Sequence, residues 1–173
     1  MTAIATISHE HLSLLEQQLG RPPRSLDAMG AVSASGIPLV VRMRPLMEGK
    51  PFPTLYWLTS RDLFKAISTI EAQGYIKQLE ARVEEDSTFR QALWDSHADY
   101  AAQRLHYMNA EDKAQLQALD KLEAINKLGV GGIADWSRIR CLHTHYAHHL
   151  CGHNVVGQWL EQQFQLSQLP ITL

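Results

Sequence analysis

The stretch Cys141-Leu-His-Thr-His-Tyr-Ala-His-His-Leu-Cys-Gly-His153 holds both cysteines and five of the nine histidines of the chain. Thiolate and imidazole bind borderline and soft metal ions, and imidazole carries protons near neutral pH. Read as one helix from Trp136 to about Leu150, capped by Asp135, the stretch turns about 100° per residue. Cys141, His145 and His148 then fall within about 60° of one another on one stripe. His149 sits just beside them and His143 lies on nearly the opposite side. Two ligands at i, i+4 on a helix share one metal ion in zinc helices. The stripe therefore predicts a transition-metal site, zinc or iron, completed from elsewhere in the chain. His97, in Ser96-His-Ala-Asp-Tyr100 at the edge of an apolar helix stripe, is the outside candidate. Two other readings stand beside this one. Cys141 is a small buried hydrophobe and the histidines are structural or proton-handling, or Cys141 is a nucleophile activated by His148 or His145. The spacing is not that of a zinc finger, and H-E-x-x-H is absent.

Arg21, Arg24, Arg42, Arg44, Lys50, Arg138 and Arg140 form a second set. If the segment Gly20-Arg-Pro-Pro-Arg24 and the strands pack near residues 129–140, these cations converge on a small anionic ligand. Gly129-Val-Gly-Gly132 ahead of a helix start would add backbone amides. It is neither a P-loop nor a dinucleotide fingerprint. The other reading is of solvated arginines that guard edge strands. Phe52, Tyr56 and Trp57 read as core packing in preference to a ligand platform.

Several elements must position these groups. Ser8 caps a first helix through Leu12, Leu15 and Leu19, and Gly20 stops it. A loose stretch to Gly36 precedes a strand over 37–44. A Gly/Pro-rich turn, Glu48 to Pro53, leads to a second strand over 54–59, and together they predict a β-hairpin with a long loop. From Ser60 the pattern is helical: Leu63, Ile67 and Ile70 up to Gly74, then Ile76, Leu79 and Val83 over 75–86. Ser87 caps a long helix to about Tyr107, with Phe89, Leu93, Ser96 and Tyr100 in one stripe. One helix is expected over 111–128 through Leu116, Leu119, Leu122 and Ile125. A last helix over 155–166 presents Val156, Trp159, Leu160 and Phe164 and docks on the core.

The 173 residues fit one domain with a real core. A net charge of −2 argues against bulk electrostatic binding to nucleic acid, which needs a clustered basic surface. Two cysteines make no disulfide framework. The N-terminal stretch 1–19 has no long apolar run and does not read as a secretory signal. No segment approaches the roughly 18–20 apolar residues of a membrane span. The expectation is a cytoplasmic, reduced protein.

In order along the chain, Gly20-Arg-Pro-Pro-Arg24, Pro51-Phe-Pro-Thr-Leu-Tyr-Trp-Leu-Thr59, His97-Ala-Asp-Tyr100, Gly131-Gly132 with Asp135, Arg140-Cys-Leu-His143, Ala147-His148 and Asn154-Val-Val-Gly157 resemble the bacterial family catalogued as domain of unknown function 501. The resemblance runs from about Leu14 to Gly157. It implies a small bacterial cytoplasmic protein. Some relatives are encoded beside, or joined to, exopolyphosphatase-type proteins, which implies a phosphate-related setting. Position by position it points to Arg21, Arg24, Thr54, Tyr56, His97, Tyr100, Cys141, His143, His148 and Asn154. It favours His143, whereas helical geometry favours His145 beside Cys141. This chain lacks the extra cysteines that many relatives carry near the positions of Ala31 to Gly36 and of Ser60.

The expected fold is α+β: one mostly helical domain with a small antiparallel hairpin. The expected site gathers Cys141, His145, His148, His97 and His143 as metal ligands, with Arg21, Arg24, Arg138 and Arg140 on an anion. Thr54, Tyr56, Tyr100 and Asn154 complete the pocket. The leading reading is a metal-binding protein with a small anionic, phosphate-containing ligand, hydrolytic if it is an enzyme. The alternative is a non-enzymatic interaction or regulatory module that meets a protein partner through the helix 75–86 and the polar face of 111–128.

Overall fold

The structure, a computed structural model, describes residues 7–173. Residues 1–6, the start of the stretch read against a secretory signal, lie outside it. The fold is α+β and dominated by helices. Helix α1 (His9–Leu19) starts where Ser8 Oγ accepts from the His11 amide and ends at the left-handed Gly20, φ 69°. Strands β1 (Leu26–Val32), β2 (Pro38–Met43) and β5 (Tyr56–Leu58) make one antiparallel sheet in the order β1-β2-β5. The loop between β2 and β5 carries a two-stranded ribbon, β3 (Leu46–Met47) with β4 (Lys50–Pro51).

Alternation of side chains along β2 builds two cores. Val40, opposite Leu58, faces the larger core under the helices. Val41 and Met43 face a smaller one closed by Leu15 of α1 and Met29 of β1. Helices α2 (Arg61–Ala72), α3 (Tyr75–Glu85) and α4 (Ser87–Tyr107) follow in short succession. Their expected stripes are buried: Leu63, Ile67 and Ile70, then Leu79 and Val83, then Phe89, Leu93, Ser96 and Tyr100. Then come α5 (Ala110–Ala118), α6 (Leu122–Asn126), a 3-10 turn (Val130–Gly132), α7 (Leu142–Cys151) and α8 (Val155–Phe164). Helix α7 packs on all three strands of the sheet and on α2 and α8. Gly157 permits the closest part of the α7–α8 contact, because a Cβ there would stand 2.2 Å from His149 Cβ.

Four local expectations are corrected. The stretch before Gly36 contains β1, an edge strand paired to β2 through irregular register. Its Asp, Ala and Gly content hides a strand whose pairing is supplied by tertiary contact. The capping side chain of α4 is Asp86, not Ser87: its carboxylate accepts from the Thr88 and Phe89 amides. The single helix over 111–128 is two, broken where Asp120 takes φ 54° and Leu119 stays 46% exposed.

The fourth correction matters most. No helix spans Trp136 to Cys141. Asp135 caps only a turn, accepting from Ser137 N. The chain then runs extended, because Glu80 of α3 takes the Ile139 amide and Glu71 of α2 takes the Leu142 amide. Helix α7 begins one residue after Cys141.

Candidate metal centre

Cys141 is the N-cap of α7, with φ −152° and ψ 118°. A residue there precedes the helical turn, so its side chain is not part of the 145/148 stripe. Its Sγ lies 3.5 Å from Nδ1 of His143. The same Nδ1 is 3.3 Å from Oε1 of Glu71. The other ring nitrogen of His143, Nε2, stands 3.1 Å from the Phe64 carbonyl and 3.2 Å from Ser68 Oγ. A carbonyl only accepts, so Nε2 carries a proton, and Nδ1 is the nitrogen that faces Cys141 and Glu71. Glu71 is fixed in turn by the Leu142 amide, 2.7 Å from Oε1, at a helix N-terminus where a carboxylate is favoured.

Among the described residues, Glu71, Cys141 and His143 are the one set of three such side chains whose ligand atoms all lie within 4.8 Å of one another. Burial, the largest single influence, would raise the Cys141 thiol, but the bond to His143, the Thr144 backbone and the charge of His143 together outweigh it and hold the thiol below its ordinary value. Burial alone would lower His143, but Cys141, Glu71 and the Phe64 carbonyl raise it. The pair thus leans toward thiolate and imidazolium.

The cluster opens on a pocket of about 400 Å³ walled by Phe52, Trp57, Leu58 and Phe64, with Thr54 and Thr144 as its hydroxyls. The Phe64 ring lies over His143, centroids 4.4 Å apart. Thr144 Oγ1 donates to the Cys141 carbonyl, 3.0 Å away.

His145 and His148, expected beside Cys141, instead face α4 and are fully buried. They form a directed chain. Nε2–H of His148 donates to Asp99 Oδ2 at 3.0 Å. Asn154 donates through Nδ2 to His148 Nδ1 and accepts through Oδ1 from His145 Nδ1, both at 3.2 Å. His97 accepts the Val130 amide on Nδ1 at 3.0 Å. The 129–132 loop reaches the His97 ring only because residue 129 is glycine, since a Cβ there would be 2.4 Å from His97 Nδ1. Among the described residues the Nε2 atoms of His97 and His145 have no hydrogen-bond partner. Burial, first, and neighbouring histidines, second, push His97 down to about 4 and His145 down to about 3. These rings are neutral, buried and spread too widely to share one ion with Cys141. Tyr100 is part of the same core, its hydroxyl accepting the Leu55 amide at 2.6 Å, and Tyr56 donates to Gln103 Oε1 at 2.6 Å.

Four of the arginines engage separate carboxylates. Arg24 pairs with Glu48, Arg42 with Asp27 at 2.5 Å, Arg44 with Asp112 at 2.6 Å and Arg138 with Glu80 at 3.0 Å. Arg140 is exposed. Arg21 and Arg24 flank a void of about 20 Å³, room for a water and not for a phosphate. In the glycine loop the amides of Gly129, Val130 and Gly132 are taken by Ile133 O, His97 and Gly129 O. The expected convergence of cations and amides on one anion is therefore not formed. The arginine that sequence reasoning passed over is Arg104. It is buried and donates to the carbonyls of Pro53, Ile125 and Leu128, which fixes the loops on either side of the His97 region.

Glu71 was also missed. Its one signal is position: it follows Ile70 and lies four residues after Ile67, so it flanks the buried face of α2. Among the described residues no helix is long and apolar enough to cross a membrane. No curated protein and no solved structure matches the chain significantly. A family model does, over residues 29–162, under the description "Protein of unknown function (DUF501)". The match takes in both strands of the expected hairpin, Glu71 and the Cys-Leu-His segment, and the chain belongs to that family.

Proposed function

We propose that Glu71, Cys141 and His143 bind one divalent transition-metal ion, zinc in preference to iron, with a water at the position facing the pocket. The spacing carries this reading. Donor atoms around one tetrahedral zinc ion sit about 2.0–2.3 Å from the metal, and so about 3.3–3.6 Å from one another. His143 Nδ1 stands 3.5 Å from the sulfur and 3.3 Å from the carboxylate oxygen. The second nitrogen is held by a backbone carbonyl, which fixes the tautomer that a metal-ligating imidazole needs. A thiolate in the set favours zinc. Three protein ligands with a fourth position open is the arrangement of reactive rather than purely structural zinc sites. The reaction class it supports is metal-assisted hydrolysis, with the bound water as nucleophile. Titration with cobalt(II) tests the reading: the protein should develop a thiolate-to-cobalt charge-transfer band that Cys141→Ser lacks. A spectrum unchanged by that substitution would count against it.

A second reading rests on the same pair. Without metal, a Cys141 thiolate oriented by His143 is a nucleophile with its base at 3.5 Å. Alkylation of Cys141 would then persist below the pH at which an ordinary thiol stops reacting, and zinc should suppress it.

A further inference from the structure

We infer that the pocket beside Glu71, Cys141 and His143 takes a small ligand with an apolar, preferably aromatic body and one neutral or singly charged metal-binding head, and not a phosphate ester. The inference rests on the metal reading above and adds the substrate class to it.

Three observations carry it. The first is shape and lining. A volume of about 400 Å³ suits a small molecule, in the range of about 300–1,000 Å³ for such sites. Phe52 and Trp57 are stacked, centroids 6.0 Å apart and planes 25° apart, and make a flat wall. Phe64, on the side of His143, is 53% exposed although its ring is large and apolar. A ligand ring seated between these walls would remove that surface from water.

The second is charge. The lining holds neither lysine nor arginine. A zinc dication bound by one thiolate and one carboxylate has no net charge left to attract a dianion. Of the arginines expected on an anion, Arg24 and Arg138 pair with Glu48 and Glu80, and Arg21 and Arg140 are not among the residues that line the pocket.

The third is hydrogen bonding. Thr144 spends its proton on the Cys141 carbonyl, so toward the pocket it can only accept. A head group that coordinates through one atom and donates an N–H or O–H from another, as a hydroxamate does, meets both demands.

The test uses the zinc-loaded full chain, calorimetry, and three probes: benzohydroxamate, acetohydroxamate and inorganic phosphate. Benzohydroxamate should bind at least about tenfold more tightly than acetohydroxamate, and phosphate should bind more weakly than either. Phe64→Leu, which keeps an apolar side chain over the His143 ring, should reduce the aryl preference, with zinc content measured alongside. Trp57→Leu should do the same from the opposite wall. Equal affinities of the two hydroxamates, or phosphate as the tightest probe, with zinc still bound, would overturn this inference and leave the metal site standing. Failure to bind zinc at all would overturn both.

Discussion

At Cys141 the extended backbone decides which histidine the sulfur meets. On a continuing helix it would share a face with His145; as the N-cap it turns toward His143, two residues on. Substitutions at the two histidines should therefore separate cleanly. His143→Ala should weaken zinc binding by more than about 100-fold, since loss of even an outer partner of a ligand costs about 10–100-fold. His145→Ala should leave zinc binding intact but destabilise the fold by about 2–4 kcal/mol, because it empties a buried site and removes one of the two donors to Asn154 Oδ1. Competition with a chromophoric chelator and urea unfolding measure the two effects. That this segment contributes to a cluster of ligand-type side chains was legible from residue types alone. The pairing was not, because whether residue 141 lies on the helix or just before it depends on Glu71 and Glu80, far away in sequence, taking the Leu142 and Ile139 amides. The resemblance pointed to His143 where helical periodicity pointed to His145, and the geometry sides with His143.

The elements that build the site are α2 and α7, brought together over the sheet. Amphipathic helices announce themselves by their stripes, and α2, α3 and α4 were readable for that reason. Strand β1 was not, because its residues have little strand preference and its order comes from β2. The 111–128 region was misread as continuous because leucines recur through it, although Leu119 faces solvent. The α7–α8 contact gives an element-scale prediction. Gly157→Ala would set a methyl 2.2 Å from His149 Cβ and 2.9 Å from the His145 carbonyl, so the helices must part. A loss of about 1–3 kcal/mol is expected in chemical denaturation, with zinc affinity reduced only through the shift of α7.

For the whole molecule, the buried histidines set the response to acid. His97 and His145 have folded values depressed to about 4 and about 3, against 6.5 when exposed. Their contribution to stability is therefore complete above about pH 6.5 and is lost as pH falls from there toward those values. The urea midpoint should decline steadily below about pH 6.5, and a midpoint flat over that window would contradict the burial of neutral rings. A metal joining α2 to α7 should also stabilise the native state, raising Tm with the logarithm of free zinc. It should bind less tightly as pH drops, because protons compete for Cys141 and His143.

The most direct test of the metal centre is elemental analysis of untagged protein purified without chelators, compared with Cys141→Ser, Glu71→Gln and His145→Ala. The account predicts close to one zinc per chain in the native protein and in His145→Ala, and little in the other two. Protein free of metal that stays so when zinc is added back, or metal retained by all three variants, would contradict it.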